Sequence, residues 1–454
     1  MTTTAGERTV PSAEQPEVAA RLEDMVSPFG GLFGAVKRLA DMPGEPAMPI
    51  FTASLGDPAE VVDGVALWQR RLRQPTANSM DGAGGDLDPR TGRWLSIAEA
   101  LERYCALVWR PEQIITATAE ELGHEAVDLA ELPQLSEREL AMAGQTLVPP
   151  DPAAPRRWVR GIRLRDAKLT WLPAMYVWLC LHAESRAETI THGISTGCAG
   201  HTDARTALVK GLCEAVERDA VALVWLQMLS LPRLDCTDAA PELRELLERH
   251  EEHPGIRMHL FDATTDIGLP TVYAVRVAQH STCTHTVVAA STEFDPTRAA
   301  VKAIRETISC RLAFEMLPED SSDVADFQSA SAGGQYMAHA SRAHAFDFLL
   351  NSPHSRPIAH LPRIPAADPA QQLAAVLDRL EAAGFDAYAV DLTTDEAREA
   401  GVTVVRTLVP GLQPLSFVQR SRYLGHPRLY DAPRRMGFPV RSEGDINPWP
   451  QPFA

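Results

Sequence analysis

The sequence predicts a mixed α+β protein (mixed α/β in order) on two observations. Three stretches carry apolar residues at helical spacing, five carry the two-residue alternation of strands, and the two kinds are interspersed along the chain. Helical periodicity runs from Ser96 to Trp109, from Ala204 to Met228 and from Arg298 to Phe314. The alternating stretches are IRMHLFDA (256–263), TVYAVRVA (271–278), THTVVAAS (284–291), DAYAVDL (386–392) and GVTVVRTLV (401–409). Each is rich in the β-branched and aromatic residues that suit a pleated, half-buried surface.

Around these elements the first 27 residues read as a polar, flexible tail, and residues 28–454 as one unit. A Pro-rich break, VPPDPAAPRRW (148–158), divides that unit into an N-terminal part ending near residue 150 and a central and C-terminal part, 151–454. LPEDSSDVADFQSASAGGQ (317–335) reads as a mobile insertion, and a Pro-rich end occupies 448–454.

A chain of 454 residues with 45% apolar residues can bury a large core. Its formal charge of -17 argues against a nucleic-acid partner or an anionic membrane, which both call for a basic surface. The seven cysteines (105, 180, 198, 213, 236, 283 and 310) are odd in number and none form a C-x-x-C pair, so they read as reduced, buried thiols of a cytoplasmic protein. MTTTAGERTVPSAEQPE is no signal peptide, and LTWLPAMYVWLCLHA is too short and too interrupted by Pro173 to span a membrane.

One motif is written twice: EALERY (99–104) and EAVERD (214–219), each followed by Leu-Val-Trp. At about 100° per residue, Glu99, Glu102 and Arg103 share one helix face, opposite to Ile97, Leu101, Tyr104 and Val108. In the second copy Glu214, Glu217 and Arg218 lie opposite to Leu208, Leu212, Val216 and Leu223. Alone, either face is an ordinary solvated surface with weak ion pairs. Twice over, paired carboxylates that repel each other make better sense as ligands of a divalent cation, with arginines beside them for phosphate oxygens. No G-x-x-x-x-G-K-[ST] loop or G-x-S-x-G elbow is present, and GAGGDLDP (82–89) has no lysine. HEEH (250–253) lacks the zinc-protease spacing and reads as charged surface; Cys198 and Cys213 read as buried thiols, and His192 and His201 as polar loop residues.

LSIAEALERYCALVW, STGCAGHTDARTALVKGLCEAVERDAVALVW, AAVKAIRETISCRLAFE, TLVPGLQPLSF and NPWPQPFA follow in the order found in YcaO-domain proteins. The resemblance covers roughly residues 30–454. It implies a YcaO-type fold in which mixed sheets are flanked by helices and ATP is held between helices. It implies that Ser96, Glu99, Glu102 and Arg103, then Glu214, Glu217 and Arg218, then Glu306 and Arg311 bind Mg2+ and ATP. In that reading Glu99, Glu102, Glu214 and Glu217 hold the ions, and Arg218 and Arg311 meet phosphate. Two positions depart from the family pattern, Ser309 in place of glutamine and Gly85 in place of a lysine, for which Arg93 is a nearby candidate replacement.

The terminal P-x-P-x-P of Pro448, Pro450 and Pro452, ending at Ala454, resembles the azoline-forming cyclodehydratases of ribosomal-peptide antibiotic and bacteriocin biosynthesis, in which the chain end lies at the active site. The implied activity is ATP-dependent cyclisation of Cys, Ser or Thr in a precursor peptide to thiazoline or oxazoline. The implied partners are that peptide, a separate leader-binding protein of E1-like or winged-helix type, a flavin dehydrogenase where azolines are oxidised, and a second copy of the chain. A non-catalytic scaffold and a thioamide synthetase remain the alternatives at this level.

Overall fold

A strand of glycine and alanine can lie directly on a helix backbone, and the first part of the fold uses that closeness. In the computed structural model, which describes residues 16–42, 44–55, 81–316 and 323–453, strands β1 (Ala35–Arg38), β2 (Ile50–Ser54) and β3 (Gly82–Gly85) form an antiparallel sheet in that order. Helices α1 (Pro16–Asp24) and α2 (Pro89–Cys105) pack beside it. A Cβ at Gly82 would stand 2.1 Å from the Ser96 carbonyl oxygen, and one at Gly84 would stand 2.4 Å from the Ser96 nitrogen. The glycines of GAGG are there for helix–strand contact. α2 starts seven residues before the periodic stretch predicts, because Asp88 caps it, accepting from the Arg90 and Thr91 N–H groups at 3.3 and 3.2 Å, with Pro89 in its first turn.

The second sheet runs β4 (Ile114–Ala117), β5 (Arg156–Arg163), β13 (Tyr388–Asp391), β14 (Thr403–Leu408), β7 (Cys198–His201), with β6 (Lys168–Pro173) also paired to β5. The third runs β11 (Thr286–Thr292), β10 (Thr271–Ala278), β9 (Ile256–Asp262), β8 (Arg233–Asp235), β12 (Ser355–Pro357). All five alternating stretches of the sequence are strands. Helix α3 (Ala204–Gln227) lies between these two sheets, against β14 and β7 on one side and β11 on the other. Its run Asp219–Gln227 is buried on every side, as an apolar helix in a core must be. It begins at Asp203, whose carboxylate accepts from Thr206 N–H at 2.8 Å, and ends at Met228, left-handed with φ 48°. Helices α4 (Pro241–Glu251) and α5 (Pro296–Met316) cover the third sheet, and α5 also reaches β3. Helices α6 (Ala330–Ala338), α7 (Pro369–Ala382) and α8 (Arg428–Arg435) complete the packing.

Four readings of the sequence need correction. Residues 16–24 of the supposed tail are helix α1, with Leu22 1% exposed in the core and Glu23 ion-paired to Arg93 at 2.7 Å. The break at 148–158 divides nothing: 148–155 lies on the connection between β4 and β5, which pair in one sheet, and 156–158 begins β5. Of the supposed insertion, 317–322 lies outside the described residues, while 330–335 belongs to α6, packed so closely that a Cβ at Gly333 would stand 2.4 Å from the Gln451 carbonyl oxygen. His250 of HEEH is buried on α4, its Nδ1 2.7 Å from the Leu246 oxygen. Among the described residues no helix is long and apolar enough to cross a membrane.

Gly84→Ala is expected to destabilise the fold by about 3 kcal/mol, the upper end of the over-packing range, because the obstructing atoms are backbone. The midpoint of chemical denaturation measures it.

Candidate functional site

Three helices with buried outer faces bring their charged faces to one place. α2 supplies Glu99, Glu102 and Arg103; α3 supplies Lys210, Glu214, Glu217 and Arg218; α5 supplies Lys302 and Glu306. Arg218 stands in the middle, 3.1 Å from Glu214 Oε1 and 2.7 Å from Glu217 Oε1. Backbone amides fix the carboxylates further. Ala83 N–H donates to Glu99 at 2.7 Å, Gly200 N–H to Glu102 at 3.0 Å, Gly197 N–H to Glu214 at 3.0 Å and Thr292 N–H to Glu217 at 3.0 Å. These donors come from β3, β7, the turn before β7, and β11, so all three sheets meet at the cluster.

The cluster holds more negative charge than its cations relieve. Burial, then the charges of Glu214 and Glu99, push the Glu102 carboxyl up to about 8, against the Gly200 hydrogen bond and Arg103. Glu306 is raised by burial and by Glu217, and Glu217 is raised by burial despite Arg218 and Lys302. Burial lowers Arg218, but the surrounding carboxylates of Glu217, Glu214 and Glu306 outweigh it and hold the guanidinium above its ordinary value. Burial brings Lys210 down to about 7, with Glu293 opposing. Lys302 lies 3.5 Å from Glu293 and keeps 52% of its side-chain surface open. Crowded carboxylates of raised pKa are relieved by a divalent cation, so the donor set fits Mg2+. Among the described residues no group of three or more His, Cys, Asp or Glu side chains is gathered closely enough to hold a metal ion by itself; Mg2+ also takes waters and phosphate oxygens as ligands.

The C-terminal segment reaches the same place. Asn447 N–H and its Nδ2 donate to the Leu226 and Trp225 carbonyls at 2.9 and 3.0 Å, and Trp225 Nε1 donates to the Trp449 carbonyl at 3.2 Å. Pro448 is exposed, Pro450 and Pro452 are buried, and Phe453, 2% exposed, lies under the Arg218 guanidinium at 4.5 Å. Ala454 lies outside the described residues. On another side Arg218 lines a cleft with His192, Thr196, Gln413 and Leu415.

Several expected site residues lie elsewhere. Ser96 is fully buried against β3, its hydroxyl donating to the Arg93 carbonyl at 2.7 Å, so it takes part in helix packing. Arg311 is held away from the cluster by Glu45 at 3.1 Å, a carboxylate it shares with buried Arg276. Arg103 joins the cluster through its 2.7 Å pair with Glu99 and donates to the Asp81 carbonyl. Gly85 and Ser309 prove to be neighbours: a Cβ on Gly85 would meet Ser309 Oγ at 3.0 Å and the Met48 methyl at 2.8 Å, so a lysine side chain there requires Met48 to shift. Arg93 does not replace it, being committed to Glu23. Cys198 is raised to about 11 by burial and Cys213 is also raised, so neither is a nucleophile; His201 accepts from the Asp203 N–H at 2.9 Å beside the helix start.

Lys210, Lys302 and Phe453 were not anticipated. Lys210 precedes Glu214, and Lys302 precedes Glu306, by one helical turn, so each lies on the charged stripe of its helix, a signal the spacing contains.

Comparison with known proteins agrees with this geometry. The model of a family described as YcaO cyclodehydratase, ATP- and Mg2+-binding, matches residues 83–413. An uncharacterized protein in the tfuA 3' region of Rhizobium leguminosarum bv. trifolii is 25% identical over 343 residues, 73% of this chain and 76% of that one. Among solved structures, a heterocyclase in complex with substrate and cofactor superposes with TM-score 0.80 at 22% identity, over 99% of this chain but 58% of its own, so this chain spans well under two thirds of that protein. YcaO from Methanopyrus kandleri, bound with AMPPCP and Mg2+, superposes with TM-score 0.63 at 19% identity, over 91% of this chain and 94% of its own. The family match extends over most of the chain and includes the helices that carry the charged cluster: this protein belongs to the YcaO family of ATP- and Mg2+-binding cyclodehydratases.

Proposed function

We propose that this chain cyclises Cys, Ser or Thr residues of a ribosomally made precursor peptide to thiazolines or oxazolines. The observation that supports it is the meeting of an overcharged carboxylate cluster, Arg218 and an adjoining cleft at one point. In the proposed reaction the thiol or hydroxyl of the peptide adds to the preceding carbonyl carbon and gives up its proton. The carbonyl oxygen takes the γ-phosphoryl group of ATP; the amide nitrogen then loses its proton, the C–O bond breaks, and phosphate leaves as C=N forms. Magnesium would supply charge neutralisation on the phosphates.

The chain's own groups divide that work. Glu99, Glu102, Glu214, Glu217 and Glu306 are the carboxylates available to hold the ions. Arg218, Lys210 and Lys302 face the same space and are suited to phosphate oxygens, which compensates for the absence of a lysine at Gly85. Phe453 keeps the Arg218 plane from rotating, so the role for Pro448, Pro450, Pro452 and Ala454 is to deliver and hold the end of the chain at that cation. The five carboxylates, Arg218, Lys210 and Lys302 support turnover over a scaffold role. Capture of the leader peptide is assigned to a separate E1-like or winged-helix partner, and azoline oxidation, where it occurs, to a flavin dehydrogenase.

With partner, precursor, Mg2+ and ATP, mass spectrometry should show loss of water from the peptide together with phosphate release; oxygen-to-sulfur exchange instead would mark a thioamide synthetase. Glu217→Gln should lower both signals by about 100-fold or more with the circular-dichroism spectrum unchanged.

The raised Glu102 carboxyl sets a pH dependence. Between its ordinary value and about 8 the unfolded chain has lost a proton that the metal-free fold still holds, so stability falls as pH rises through that window. Glu102→Gln removes this term. At pH 8 and without metal it should melt several degrees above the unmodified protein, while its Mg2+ affinity, measured by calorimetry, falls at least about tenfold. In the unmodified protein Mg2+ affinity should increase from pH 6 to pH 8 as the carboxyl ionises. Equal melting temperatures at pH 8 would contradict the assignment.

A further inference from the structure

The cleft beside Arg218 has an apolar wall, to which Met175, Trp178, Leu412, Leu415 and Phe417 contribute, and three buried polar atoms without a hydrogen-bond partner, the Tyr176 hydroxyl, His192 Nε2 and Gln413 Oε1. Gln413 is 1% exposed. Its backbone N–H donates to Asp219 at 2.8 Å and its Nε2 donates to the Arg422 and Tyr423 carbonyls at 3.3 and 3.4 Å, which fixes which way the amide faces. Its Oε1 is then a buried acceptor with no partner, and so is His192 Nε2 a buried, unpartnered atom on the same cleft. Burial holds His192 down at about 4, so its ring is neutral near pH 7. A fixed, unsatisfied acceptor among apolar side chains costs free energy unless a ligand donates to it. An apolar side chain carried on a backbone with N–H groups meets both requirements.

The position of the cleft says which part of such a ligand enters. On the cyclodehydration reading, on which this inference rests, the oxygen to be phosphorylated belongs to the residue before the reacting Cys, Ser or Thr. That oxygen has to come up to Arg218, and the side chain two bonds from its carbonyl carbon then falls into the hollow next to Arg218. We infer that this cleft is the specificity pocket for the residue preceding the cyclised one, that it selects an apolar side chain, and that Gln413 Oε1 accepts a backbone N–H of the peptide.

The test uses the full-length protein and synthetic peptides identical except for Leu, Phe, Gly or Asp before one Cys. The expected KM for Leu is at least about tenfold below that for Asp, because a carboxylate would be buried among apolar atoms. Gln413→Met should raise KM about tenfold for every peptide while the dissociation constant for ATP stays the same. Because Gln413 also holds the chain at Arg422 and Tyr423, Leu415→Ala is the companion variant: it enlarges the wall and should shift preference from Leu toward Phe. Equal KM for all four peptides, or a Gln413→Met effect on ATP and not on peptide, overturns the pocket; the latter would make the cleft a base-binding site. Saturation-transfer NMR with the same peptides and no ATP separates the two levels. A Leu-over-Asp ranking without any cyclisation supports the pocket and sinks the reaction, whereas cyclisation with no ranking sinks the pocket alone.

Discussion

Arg218 is the cation around which the centre is folded. Two carboxylates hold its nitrogens, at 3.1 and 2.7 Å, and the ring of Phe453 lies against its face at 4.5 Å. Removing it would leave Glu214 and Glu217 close together, partly or fully out of water, with Glu306 beside them and without the cation that pairs with both. It can occupy that position because α3 is anchored along its length between two sheets and has little freedom to tilt.

The next residue extends the same control outward. Asp219 points away from the centre, is 0% exposed, and is bound by Arg428 at 2.7 Å; Arg428 also reaches Asp266 at 2.7 Å. The Asp219 carboxylate accepts the Gln413 N–H as well. A single turn of helix, Glu217-Arg218-Asp219, therefore sets the charged centre with two residues and the floor of the adjoining cleft with the third. A shift of α3 would move the charged centre and the cleft together.

Much of this was legible in the sequence because it is local. The two E-x-x-E-R stripes and the strand alternations depend on neighbours a few positions away, and the three periodic and five alternating stretches became helices and strands, α2 displaced to Pro89–Cys105. What could not be read depends on distant pairings. Nothing near Arg311 shows that Glu45 will claim it, and nothing near Arg93 shows that it will tie down α1 through Glu23. Gly85 and Ser309 look like two separate losses in one dimension and are neighbours in three. Ser96 stands at motif spacing, yet the closeness of β3 turns it inward. The cleft was invisible because its walls come from separate loops around residues 175, 192 and 413.

The charged groups of the centre stand almost entirely on helices whose opposite faces are core, while much of the cleft's lining comes from loops between strands and helices. Loops accept substitution at small cost to the fold, and core helices do not. On the proposed reading, descendants of such a protein can drift toward new peptides by altering the cleft and leave the phosphate chemistry intact, so diversity of substrate and constancy of reaction would be inherited from different parts of one chain.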